Sequence, residues 1–353
     1  MTKTPIGRRP LLGVALAAAA MAALPAAAQE VTLKLHQFLP AQANVPKLVL
    51  DVWAANVEKA SDGRIKIDSY PSMQLGGSPP ELYDQVVDGV ADIAWVVPGF
   101  TPGRFPTTET FELPFMIDDA RAASAAYWQI QEEFMQDETP GTKVLAAWVH
   151  GPGLFHVSDP VETPADLEGM KIRGGSRMVT QLLELTGAEP IGMPVTQIPE
   201  ALSKGVLDGT TIPWEVTGAL KTSELVEFHT EFEDAYLYTL TFLLVMNQEV
   251  YDNMPADLQQ VIDEQSGLAF SIFAGGQQAD ADAPARELAV DAGNEITVVP
   301  VAEQDVWRET VQPIYDTWTG EIDAAGRDGQ ALIDRAKELM EAYDSSMDTY
   351  GPL

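Results

Sequence analysis

Arg173 is the residue of this sequence best suited to holding an anion. It ends the stretch Leu167-Glu168-Gly169-Met170-Lys171-Ile172-Arg173, and Gly174-Gly175-Ser176 follows as a glycine turn that opens the next helix. A guanidinium presents a planar fork that matches a carboxylate, and it keeps its charge when partly buried. The N–H groups of a helix start would attract the same anion. The competing reading is a surface arginine paired with one of the 53 acids. Other reactive patterns are missing. His36, His150, His156 and His229 show no H-E-x-x-H spacing, and no G-x-S-x-G elbow, Walker loop or dinucleotide glycine fingerprint occurs. Asp280 and Asp282 lack the rest of a calcium loop. With zero cysteines there is no thiolate ligand, thiol nucleophile or disulfide framework. No catalytic residue, metal site or cofactor is nominated, so the chemistry expected is reversible binding.

Charge and length narrow the partners. The 353 residues are 46% apolar and 21% charged, with 53 Asp and Glu against 21 Lys and Arg and a formal charge of −32. This is enough apolar material for a packed core, and at about 150 residues per domain the length suggests two domains. Nucleic acid and an anionic membrane surface are poor partners, because both are held by cations. An anionic ligand would need a few placed cations to overcome the general repulsion. Residues 1–28 read as an export signal: Lys3, Arg8 and Arg9 lead, Leu11 to Leu24 are almost wholly apolar, and Ala26-Ala27-Ala28 offers cleavage near Ala28. The apolar run falls short of the roughly 20 residues that span a bilayer. The expected product is exported, acidic and not inserted in the membrane. Arg8-Arg9 leaves general and twin-arginine export both open.

The elements that must position Arg173 alternate between strand and helix. Val31, Leu33 and Leu35 alternate with polar residues as a strand, and Pro46 opens a helix with Val49, Trp53 and Val57 on one face, closed by Gly63. Ile65 and Ile67 form the next strand, a helix runs from Pro79 to Gly89, and 92–97 form a buried strand. A helix over 119–136 leads to a strand over 143–149. This pattern predicts a mainly parallel α/β sheet. Gly151-Pro152-Gly153 breaks the pattern, and a second α/β unit follows with Lys171-Ile172-Arg173 as a strand, 176–186 as a helix and 190–193 as a strand. A strand is expected from Tyr236 to Val245, and then helices over 256–290, 303–318 and 330–343. Residues 85–95 and 202–214 echo each other: a helix ends in glycine, an Asp-bearing turn follows, and a strand runs to a tryptophan. Two lobes each delivering a strand end to a common crevice would produce such an echo.

Six short segments, in order, resemble the periplasmic solute-binding proteins of tripartite ATP-independent periplasmic (TRAP) transporters. They are G-G-S-P-P-E-L at 76–82, D-G-V-A-D-I-A at 88–94, T-P-A-D-L-E-G-M-K-I-R at 163–173, G-A-E-P-I-G-M-P at 187–194, E-A-L-S-K-G-V-L-D-G at 200–209 and V-M-N-Q-E-V-Y at 245–251. The resemblance implies a two-lobed α/β periplasmic binding protein fold with a long lobe-bridging helix and a helical C-terminal tail. Residues 30–149 plus 238–277 would form lobe one, and 150–237 plus 278–353 lobe two. It implies a receptor rather than an enzyme, one that captures an organic acid and delivers it to membrane permease subunits; a monomer is expected. A C4-dicarboxylate receptor of the same family and an exported hydrolase are the alternatives.

The family's arginine that pairs with the substrate carboxylate corresponds to Arg173. The second ligand arginine of the dicarboxylate and sialic-acid receptors would fall near Gly153, where there is no cation, and Thr211-Ile212-Pro213 replaces their Glu-Asn-Pro. One firm cation beside apolar residues suits a monocarboxylate with an apolar or aromatic body. A second carboxylate would need His150, His156 or Arg177. Gln37, Phe38 and Trp95 of lobe one, with Trp214, Met193 and Thr211 of lobe two, are the expected pocket wall. Asn247 either reaches a ligand oxygen or caps its own turn, and Arg104 is expected to tie down a loop.

Overall fold

The computed structural model describes residues 1–2 and 30–350, so all but the first two residues of the expected export signal lie outside the described residues. Two mixed sheets carry the chain. The first has the order β2-β1-β3-β10-β4, built from Val31–His36 (β1), Ile65–Tyr70 (β2), Ile93–Val96 (β3), Thr142–Val149 (β4) and Thr241–Asn247 (β10). The second has the order β11-β9-β5-β8-β6-β7. Its strands are Leu154–Val157 (β5), Lys171–Gly174 (β6), Glu189–Gly192 (β7), Gly209–Ile212 (β8), Phe228–Phe232 (β9) and Glu295–Val299 (β11).

The sheets are less parallel than the alternation predicts. β1 pairs in parallel with β2 and β3, and β6 with β7 and β8. β10, however, runs antiparallel to both β3 and β4, and β5 runs antiparallel to β8 and β9. A parallel pair needs a local crossover connection. β10 instead comes back from the second sheet and slots between β3 and β4, free of that constraint. All seven of its residues are buried, which accounts for its unbroken apolar run. β5, β9 and β11 carry weaker signals and were not foreseen.

The helix expected over 256–290 is three pieces, Ala256–Glu264, Leu268–Asp280 and Asp282–Ala292. Gly267, at φ +80°, separates the first two and donates its N–H to the Leu145 carbonyl at 2.7 Å. The last two form the bridge between lobes. In the first half, Ser271 Oγ accepts from the Ala147 N–H at 3.0 Å and Gln278 Oε1 from Trp148 Nε1 at 2.5 Å, both on β4. In the second half, Asp282 Oδ1 accepts from the Glu215 N–H at 2.7 Å and Arg286 pairs with Glu231 of β9 at 2.7 Å. The C-terminal helix Gly329–Tyr350 packs along the helix Ala120–Phe134 of the first unit, fastened by Arg335 to Glu133 at 2.7 Å, although the expected boundaries count it with lobe two. Among the described residues no helix is long and apolar enough to cross a membrane.

Candidate functional site

Strand ends from both sheets converge on a cavity. β6 delivers Arg173, which is 1% exposed. Its Nε donates to the Met193 carbonyl at 3.0 Å and its Nη1 to the Thr211 carbonyl at 3.2 Å, while Thr211 Oγ1 returns a hydrogen bond to the Arg173 carbonyl at 3.1 Å. A Cβ at Gly175 would stand 2.9 Å from Nη1, so the glycine turn read from the sequence is what lets the backbone pass the guanidinium. Nη2 is buried with no hydrogen-bond partner, and no carboxylate among the described residues forms an ion pair with Arg173. Burial lowers its pKa to about 10, so it remains cationic at neutral pH. A buried, unpaired charge is costly to maintain, and an anion brought against Nη2 relieves that cost.

Much of the rest of the wall is aromatic and aliphatic. Phe38, just after β1, stacks on Trp95 of β3 with ring centroids 4.5 Å apart and planes at 19°. Phe100 meets Phe38 edge-on at 5.8 Å, and Phe242 of β10 lies 5.4 Å from Trp95. Trp95 Nε1 is a second buried donor with no partner. Tyr238, also on the wall, is a buried phenol whose pKa desolvation pushes up to about 12, so it stays protonated. It also explains the missing second cation: a Cβ at Gly153 would lie 2.2 Å from the Tyr238 ring. The ring fills the space into which a side chain at 153 would project.

Of the residues expected at the site, Arg173, Thr211, Phe38 and Trp95 line the cavity, as does His150, the conditional partner of a second carboxylate; the others do not. Gln37 closes the turn after β1, its Nε2 donating to the Leu39 carbonyl at 2.8 Å and its Oε1 accepting from the Leu39 N–H. Met193 contributes the carbonyl that holds Arg173 rather than a ring-covering side chain. Asn247 caps the helix Gln248–Asp252, Oδ1 accepting from the Val250 N–H at 2.9 Å, while Nδ2 donates to the Val86 carbonyl at 2.8 Å. Trp214 stands two residues beyond β8, where a helix has begun, and turns away from the cavity. Its ring packs 4.8 Å from His156 and from His229, and Nε1 donates to Glu231 at 2.7 Å.

His156 is a neutral structural ring. Its Nε2 donates to the Ile212 carbonyl at 3.1 Å, its Nδ1 accepts from His229 Nδ1 at 2.8 Å, and His229 Nε2 accepts from Asn294 Nδ2 at 2.9 Å. The chain fixes both tautomers. Desolvation first, then the neighbouring His229, holds the His156 pKa well below the usual imidazole value. His150 lines the cavity but is equally occupied: Nε2 accepts from the Leu240 N–H at 3.0 Å, and Nδ1 donates to the Gly151 carbonyl. Burial lowers its pKa to about 4. Arg177 is held bidentately by the buried Glu109, at 3.0 Å through Nε, and by Glu321. None of the three is a ready partner for a second carboxylate. Arg104 pairs with Asp84 at 2.7 Å and covers the Tyr83 ring, a loop tie as expected.

Tyr238, Phe100, Leu240, Phe242, Glu215 and Gln278 also line the cavity and were not foreseen. Phe242 and Leu240 sit at the start of an apolar strand whose inward face shows only once its antiparallel pairing is known. Glu215 carried one faint signal, its place just after Thr211-Ile212-Pro213-Trp214.

Known proteins resemble this chain in sequence and fold. Residues 37–321 match the family described as bacterial extracellular solute-binding protein, family 7. A TRAP solute-binding protein from Rhodoferax ferrireducens T118, solved with copurified benzoate, is 44% identical with a TM-score of 0.88, covering 89% of this chain and 99% of that one. A marine metagenome TRAP solute-binding protein specific for aromatic acid ligands, solved with 3-hydroxybenzoate, is 41% identical with a TM-score of 0.87, covering 90% and 99%. The C4-dicarboxylate-binding periplasmic protein DctP of Rhodobacter capsulatus is 26% identical over 271 residues, 76% of this chain and 80% of that one. With four-fifths of its length matched to the family and its lobes superposable on those receptors, the chain belongs to the family 7 bacterial extracellular solute-binding proteins, the solute-binding proteins of TRAP transporters.

Proposed function

We propose that this protein captures an aromatic monocarboxylate between its lobes and delivers it to a TRAP membrane permease. One observation carries the reading: a single buried guanidinium, with Nη2 unpartnered and no acid paired to it, stands in a cavity walled by Phe38, Trp95, Phe100 and Phe242. The carboxylate would take the Arg173 fork, and the rings would cover the ligand's apolar body. The solved relatives holding benzoate and 3-hydroxybenzoate support the same ligand class. A dicarboxylate is disfavoured, because His150 is neutral and Arg177 is already neutralised by Glu109 and Glu321.

Capture would proceed by closure. Lobe one comprises 30–149 plus 238–277 and lobe two 150–237 plus 278–353, with the C-terminal helix reaching back across the first lobe. Gly99 of lobe one packs against Ser176 of lobe two so closely that a Cβ at 99 would lie 2.7 Å from the Ser176 Cβ. Contacts of this kind form only when both lobes come together, so a ligand bridging them shifts the population toward the closed form. Export with cleavage near Ala28 would place a monomeric receptor in the periplasm. The deciding experiment is mass spectrometry of the compound released by denaturing the purified protein, followed by calorimetry with benzoate. Recovery of an unaltered aromatic acid supports a receptor; turnover of the bound compound would favour the hydrolase instead.

A further inference from the structure

The cavity wall holds one cation and one carboxyl, Arg173 and Glu215. They form no ion pair, so Glu215 is not there to neutralise the arginine. It is 4% exposed and follows Pro213 at the start of the helix Trp214–Leu220. Three neighbours fix it. Gln278 Nε2, from the bridging helix, donates to Oε1 at 3.0 Å; Asp282 Oδ1 accepts from the Glu215 N–H at 2.7 Å; and Asn44 Nδ2, from lobe one, donates to the Glu215 carbonyl at 2.7 Å. A carboxyl beside Val216, Ile212 and Leu240 is expensive to bury, and the Gln278 bond offsets only part of that cost.

Two of the acceptors beside it are taken. His150 Nε2 accepts from the Leu240 N–H, and Gln278 Oε1 accepts from Trp148 Nε1. The donors on the wall without partners, Arg173 Nη2, Trp95 Nε1 and the Tyr238 hydroxyl, are suited to an acid's oxygens. We propose that Glu215 accepts a hydrogen bond from a hydroxyl on the ligand's ring, making this a receptor that prefers hydroxylated aromatic monocarboxylates. The inference rests on the reading that an aromatic acid binds at Arg173. Glu215 also gives the cavity a repulsive element: a second carboxylate on the ligand would bring two acids together in a site with one cation.

Calorimetry on the full mature protein tests this with benzoate and with its 3- and 4-hydroxy and 3- and 4-fluoro derivatives, since fluorine approximates the size of a hydroxyl and donates nothing. At pH 8, above the value of about 7 to which burial raises the Glu215 carboxyl, the hydroxy acid should at one of the two ring positions bind about 10-fold or more tighter than its fluoro counterpart, as expected for a hydrogen bond to a charged group. In Glu215→Gln, checked for folding by its melting transition, that ratio should fall toward one. If benzoate binds but neither hydroxyl gains over fluorine in the wild-type protein, this inference alone fails. It also fails if the ratio survives in Glu215→Gln. If no aromatic acid binds at all, the reading of the cavity fails, and the role of Glu215 goes with it.

Discussion

Arg173 and Thr211 hold each other across two parallel strands: Nη1 donates to the Thr211 carbonyl at 3.2 Å, and Thr211 Oγ1 donates to the Arg173 carbonyl at 3.1 Å. This reciprocal pair sets the guanidinium fork before any ligand arrives, leaving Nη2 as the donor without a partner. Preorganisation of this kind lowers the ordering cost of binding.

Arg173→Ala should therefore weaken aromatic acid binding by about 30-fold to several thousand-fold, the loss of one partner of a buried charged pair being worth roughly 2–5 kcal/mol. Arg173→Lys should not restore it, because an ammonium can reproduce neither the two carbonyl contacts nor the fork. Calorimetry on both variants reads this out, and wild-type affinity in Arg173→Ala would overturn the assignment.

Ligand class should show in a thermal-shift panel. Benzoate and phenylacetate should raise the melting temperature more than succinate or malate at equal concentration, since a tighter ligand stabilises more by mass action. A panel in which only dicarboxylates stabilise would mean that a second cationic site exists.

The space at Gly153 is filled by Tyr238, whose ring would lie 2.2 Å from a Cβ there. Gly153→Ala should overpack this corner, costing about 1–3 kcal/mol of stability, and should displace Tyr238 from the cavity wall. Both a lowered melting temperature and weaker binding are expected. A fully stable Gly153→Ala with wild-type affinity would show that Tyr238 is free to move aside.

Glu109 and Arg177 join the segment 106–112 to the helix Arg177–Leu185 at the lobe junction, and the carboxylate is buried. Arg177→Ala should leave the cavity's own groups in place but weaken closure, reducing ligand affinity several-fold through the lower population of the competent form. Small-angle scattering of the ligand-free variant should show a larger radius of gyration than wild type; identical scattering and affinity would remove the pair from the closing contacts.

Glu112 supplies a pH dependence with a definite sign. It is buried, its Oε1 accepts from the Thr241 N–H at 3.2 Å and hydroxyl at 2.8 Å, and desolvation raises its pKa to about 7 from 4.5. Between those values the folded chain keeps a proton that the unfolded chain has lost. Its contribution is full below about 4.5 and is lost as the pH rises through about 7, by at most about 3 kcal/mol. The buried neutral histidines act oppositely, losing stability as the pH falls below the imidazole value of 6.5. Comparing Glu112→Gln with wild type isolates the carboxyl. The variant should gain in relative melting temperature between pH 5 and pH 8, and a pH-independent difference would contradict the buried acid.

The amino-acid sequence on its own determined the two α/β units, the glycine turn beside Arg173 and that arginine's role as the candidate anchor, because strand periodicity, caps and charge type are local properties. Phe38, Trp95 and Thr211 were legible for the same reason, as residues at the ends of strands. Tertiary structure decided the rest. Which face of β10 meets the cavity depends on an antiparallel return from the other lobe, which no local period encodes. Trp214 looked equivalent to Trp95 in the sequence, yet it begins a helix rather than continuing a strand, and its ring goes to the paired histidines. His156 became a closed hydrogen-bond relay only through His229 and Asn294, 73 and 65 residues apart along their respective links. Tyr238 against Gly153 and Glu215 on the wall are likewise products of packing between distant segments, where the shape of the neighbour, rather than the type of the residue, decides what a side chain can reach.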